Sequence, residues 1–75
     1  MLLPDNIKPE MSIYYNGALI LESLKKEPKQ DLIELYKNVK KNYDITFSVF
    51  LLALDWLYLI DMAEYTNGGE IKLCL

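Results

Sequence analysis

The sequence has no histidine and no arginine, so two of the commonest tools of protein chemistry are missing. Without an imidazole there is no ordinary general base near neutral pH and no common metal ligand. Without a guanidinium there is no planar fork for phosphates or for the edges of nucleic-acid bases. Cysteine is nearly absent too. Cys74 is the only one, which excludes an internal disulfide and fits a reducing, cytoplasmic setting. Glycine and proline number three each, too few for a low-complexity or linker-like chain. The longest apolar stretch, Val49 to Ile60, is interrupted by Asp55. It falls well short of the roughly 20 residues that a membrane span requires, and a central Asp would add about 2.5–3.5 kcal/mol to insertion. The start, Met1-Leu2-Leu3-Pro4-Asp5, carries no basic region ahead of an apolar core, so no secretory signal is expected.

What is present is apolar. Of 75 residues, 52% are hydrophobic and 12% aromatic, with a mean hydropathy of +0.04. A disordered chain would be poor in aromatics and rich in charge. A domain this small buries only about 60% of its unfolded surface, so surplus apolar surface points to a partner. The net charge is −3, which argues against a polyanion as that partner.

Residues 1–11, with Pro4 and Pro9, read as an irregular N-terminal arm. Ser12 is placed to cap a first helix over about 13–26, with Ile13, Gly17, Ile20, Leu21 and Leu24 on one stripe. Gly17 inside that stripe suggests close approach of a neighbouring backbone. A second helix is expected over about 29–43, with Leu32, Leu35, Tyr36, Val39 and Tyr43 in helical register. Its acids lie near the start and its lysines near the end, matching the helix dipole. Thr46 is placed to cap a third helix over about 47–62. Asn67-Gly68-Gly69 then marks a turn, followed by Ile71, Leu73 and Leu75 alternating with Lys72 and Cys74. This predicts a hairpin with strands near 63–66 and 71–75. The expected fold is mainly α with a C-terminal β-hairpin, a winged-helix-like three-helix domain over 12–75.

The third helix carries two apolar stripes. Phe50, Ala53, Leu54 and Leu57 form one, assigned to the core. Val49, Leu52, Trp56 and Leu59 form the other, roughly 130° around the axis. One small core has no room for both, so the second stripe is the candidate partner-binding face, with Trp56 as its anchor. Burying four such side chains contributes roughly 6–12 kcal/mol gross, against about 4–15 kcal/mol lost on association. Tyr15 and Leu19, or the N-terminal arm, are therefore expected to extend that face.

No constellation suits catalysis. Glu27, Asp31 and Glu34 read as charge near a helix start. Asp55 and Asp61 are six residues apart on a helix and point in different directions. Ser12, Ser23, Ser48 and Cys74 have no base or oxyanion partner to activate them. No enzymatic activity, cofactor, metal or small-molecule substrate is expected. Residues 25–41 carry +3 and the rest −6, which reads as a solvated basic face or a docking site for an acidic partner. The third helix has two aspartates and no cation, so direct nucleic-acid binding is disfavoured.

Four segments carry a family resemblance: Met1 to Asp5, Tyr15 to Leu21, Phe50 to Leu59, and Gly69 to Leu73. Together they resemble the small middle components of bacterial ABC three-component systems. The resemblance implies a non-enzymatic adaptor between an ABC/SMC-like ATPase and a variable effector, in defence against phage or plasmids. It places the nucleotide site on another chain, and this chain has no G-x-x-x-x-G-K-[ST] sequence. Two other classes remain open on the residues alone: a small winged-helix transcription regulator, and a module that associates with its own copy.

Overall fold

A computed structural model of the chain describes residues 12–74, so the expected N-terminal arm over 1–11 lies outside the described residues, as does Leu75. Three helices are followed by a hairpin. They are α1 (Ile13–Lys26), α2 (Leu32–Asn42) and α3 (Phe47–Leu59). The strands are β1 (Gln30–Asp31), β2 (Ala63–Tyr65) and β3 (Glu70–Leu73). The sheet order is β1-β3-β2, antiparallel throughout, with Gln30 opposite Ile71 and Ala63 opposite Leu73. This is a small winged-helix-like domain, as the sequence indicates.

Caps decide where the helices start. The Ser12 hydroxyl accepts from the backbone N–H groups of Tyr14 and Tyr15, at 3.2 and 3.5 Å. Thr46 Oγ1 accepts from Val49 N–H at 3.4 Å and opens α3. At α2, Asp31 accepts from Glu34 N–H at 2.8 Å while the Glu34 carboxylate accepts from Asp31 N–H at 3.1 Å. That reciprocal pair moves the start of α2 from the expected residue 29 to Leu32. Of the three residues released, Gln30 and Asp31 pair with β3 as a strand that periodicity did not reveal.

α3 ends at Leu59, earlier than expected. Asp61 takes a left-handed conformation (φ 59°). Asp61 N–H then donates to Tyr58 O at 3.1 Å and Met62 N–H to Leu57 O at 2.9 Å. These are the two bonds of a Schellman stop, with Asp in the place glycine usually holds. In the hairpin, Gly69 adopts φ 81°, and Thr66 N–H donates to Glu70 O at 2.7 Å. Glycine is needed there for the positive φ.

The core joins Ile20 and Leu24 of α1, Leu35 and Val39 of α2, Phe50, Leu54 and Leu57 of α3, and Ile71 of β3. Tyr36 tilts over Phe50 at 5.1 Å and its hydroxyl donates to Ile45 O at 3.1 Å. That ties α2 to the entry of α3.

Two local contacts order the helices. Gln30 is fully buried. Its Nε2 donates to Ser23 O at 3.0 Å and Glu27 O at 2.8 Å, and its Oε1 accepts from Asn38 Nδ2 at 2.7 Å. One carboxamide thus caps the Glu27 carbonyl, which the helix leaves unpaired, shares the Ser23 carbonyl with Glu27 N–H, and grips the middle of α2. At Gly17, the expected neighbour is not a backbone but an indole. A Cβ on Gly17 would lie 2.9 Å from Trp56 Cζ3 and 3.1 Å from Cε3.

Two substitutions test these contacts by chemical denaturation. Gln30→Ala should lower stability by about 2–4 kcal/mol, since it strands buried polar groups and opens a cavity. Gly17→Ala gains about 1 kcal/mol of helix propensity but overpacks the indole at about 1–3 kcal/mol. The expected net is a loss of up to about 2 kcal/mol, with α3 displaced from α1.

Candidate protein-docking surface

α3 is apolar nearly all round, so its rotation decides which side chains remain free. Phe50, Ala53, Leu54 and Leu57 face the core as expected. The second stripe divides. Leu52 is 63% exposed and Leu59 82% exposed. Val49 and Trp56 are half-buried and pack against the core. The Trp56 ring meets Tyr14 edge-on, with centroids 4.9 Å apart at 83°, and lies against Gly17. The wheel made Trp56 the outward anchor. The structure instead seats it in the seam between α1 and α3, because Gly17 has no side chain to hold the indole away.

Leu19 also departs from its expected place. It is 8% exposed and belongs to the core. α1 packs on α2 as well as on α3, so its buried arc is wider than a single stripe, and Leu19 faces the α2 side with Val39 and Tyr43. Tyr15 is exposed.

The free face of α3 is therefore Leu52, Asp55 and Leu59, flanked by half-buried Leu51 and Tyr58. These positions are spaced by three and four residues and share one side of the helix. Tyr65 on β2 is exposed beside them. Burial pushes the Tyr58 phenol above its ordinary pKa, helped by Tyr65 and Asp55, so its hydroxyl stays protonated and available as a donor. Leu51, Tyr58 and Tyr65 were missed by the stripe analysis. Tyr58 and Leu51 lie at i+3 and i−4 from Asp55, so centring the wheel on the lone acid would have found them.

The face holds one carboxylate, Asp55, and no cation, since none occurs between Phe47 and Leu59. In a winged helix this helix is the one that enters a DNA groove. Here it offers hydrocarbon and negative charge, a surface suited to protein.

Of the carboxylates singled out in the sequence, the three around the start of α2 are engaged structurally. Glu27 accepts from Asn38 Nδ2 at 3.2 Å, and Asp31 and Glu34 form the cap of α2. Among the described residues no group of three metal-ligating side chains comes together, and no helix is long and apolar enough to cross a membrane. Desolvation and the neighbouring Glu64 carboxylate push the Cys74 thiol above its ordinary pKa, which keeps it protonated and weakly nucleophilic.

A model of the family described as ABC-three component (ABC-3C) system Middle Component 6 matches residues 3–74. The chain belongs to that family. The match takes in all three helices and the hairpin. No curated protein and no solved structure matches the chain. A middle component is one part of a multi-component system, which points to protein partners.

Trp56 and Leu59 should respond in opposite ways to truncation. Trp56→Ala empties the α1–α3 seam and should lower stability by about 2–4 kcal/mol. Leu59→Ser changes an exposed position and should stay within about 0.5 kcal/mol of the wild type. Denaturant melts of the two variants beside the wild type check both.

Proposed function

We propose that this middle component is a non-catalytic adaptor that bridges an ABC/SMC-like ATPase and an effector protein in a bacterial anti-phage or anti-plasmid defence complex. It would act in the cytoplasm, without a cofactor or small-molecule substrate of its own. The observation that carries the reading is the free face of α3. A helix placed like a DNA reader presents Leu52 and Leu59 to solvent around a single carboxylate. Family membership supports the setting. The missing imidazole and guanidinium groups support the absence of chemistry.

The two other readings are weaker on the same face. A DNA-binding regulator would need cations where α3 has none. A symmetric pair of copies through α3 would bring Asp55 toward its own image, and like charges in a closing interface repel.

The test is co-expression of the three components with affinity capture on this chain. The wild type is expected to retain both others. Leu52→Asp combined with Leu59→Asp should lose at least one of them while its circular dichroism stays helical. Retention of both by the double variant removes α3 from the interface. Capture of neither by the wild type overturns the adaptor reading. Loss of protection against phage or plasmid on deleting the gene, restored by the wild type and not by the double variant, tests the defence role.

A further inference from the structure

A second surface lies between α1 and the β2–β3 hairpin, the wing of the fold, on residues that α3 does not contain. Ala18 and Leu21 of α1 face Met62 and Leu73 across a depression of about 450 Å³. A second depression of about 360 Å³ continues it toward Pro28 and shares Lys25 and Leu73 with the first. The result is one mainly apolar groove running along the last two turns of α1, against β3. From Ala18 to Lys25 the helix advances about 10 Å, so the groove matches about two turns of a partner helix.

Its rim is cationic, although the chain as a whole is acidic. Lys25 and Lys29 line the groove and are exposed. Neither joins an ion pair among the described residues, where the pairs are Lys26 with Glu22 and Lys72 with Glu64. Lys72 lines it from β3 and holds Glu64 at 3.1 Å. Glu22, the one acid on the rim, is engaged by Lys26 at 3.4 Å. Two free ammonium groups over an apolar floor select for a ligand with both hydrocarbon and negative charge. A polyanion alone would leave the floor uncovered, and an apolar helix alone would desolvate the lysines without compensation.

We propose that this groove docks a short acidic amphipathic segment of a partner protein, its apolar side chains on Leu21, Met62 and Leu73 and its carboxylates on Lys25 and Lys29. The site shares no residue with the free face of α3, so the two surfaces can fail separately.

The probe is a fluorescein-labelled peptide of about 12 residues that alternates Leu and Glu at helical spacing, with a Leu/Lys peptide of the same pattern as control. Binding to the full chain is read by fluorescence anisotropy, and by methyl NMR shifts of Leu21, Leu73 and Met62. The Glu peptide should bind, shift those methyls and weaken as NaCl rises from about 50 to about 500 mM. Lys25→Glu combined with Lys29→Glu should weaken it about tenfold or more, with circular dichroism unchanged. The Leu52→Asp, Leu59→Asp variant should bind it like the wild type. Equal binding of the Leu/Lys peptide, indifference to the lysine reversals, or shifts confined to Leu52 and Leu59 would overturn the proposal. So would failure of the wild type to bind while a Leu2→Asp, Leu3→Asp variant binds, because the chain's own N-terminal segment would then be the occupant.

Discussion

One buried carboxamide holds the helical half of this domain to its sheet. Gln30 follows α1 by four residues, so its side chain can turn back to the carbonyls of Ser23 and Glu27, while its backbone pairs with Ile71 of β3. Asn38 completes the contact from α2. A buried amide is tolerable only when its donors and acceptor are all used, and here geometry leaves little choice. The end of α1, the strand β1 and the middle of α2 must meet at one point. The basic rim of the wing groove follows from this, since Lys25 and Lys29 flank a chain reversal that Gln30 holds shut.

The starts of α1 and α3 were legible because capping is local, with Ser12 and Thr46 each acting within three residues of themselves. The hairpin was legible for the same reason, since Asn67-Gly68-Gly69 announces its own turn. The start of α2 was not, because Asp31 and Glu34 read as charge near a helix start and their reciprocal cap sets it three residues later. β1 was not legible. Two residues give no period to detect, and Gln30 looks polar until its partners seven and eight residues away are known. The end of α3 was overrun because an Asp, not a Gly, takes the left-handed position at 61.

The candidate site was half legible. Composition together with the two stripes of α3 required surplus apolar surface there, and Leu52 and Leu59 carry it. The rotation of the helix was set elsewhere, by Gly17. A wheel drawn for α3 alone treats Trp56 as the largest unsatisfied side chain and sends it outward. Only the missing Cβ on the facing helix shows that there is a slot for the ring. Leu19 failed for a related reason, because one stripe describes a helix with one neighbour and α1 has two. The pattern of a single element fixes how much apolar surface it has, and its neighbours fix which part is left over.

Trp56 is the only tryptophan in the chain, and it sits half-buried in the seam between α1 and α3, edge-on to Tyr14. The free face of α3 turns away on one side of that seam, and α1 carries the wing groove on another. The molecule therefore holds a single indole at the junction of its two exposed surfaces, and long-wavelength excitation selects it over the six tyrosines. Its emission reports the wetness and rigidity of that junction without any label. A partner seated on either surface that shifts α1 against α3 would alter the emission, and one that leaves the seam untouched would not. Rigid bridging and transmission between the two surfaces thus become optically distinguishable in the unmodified protein.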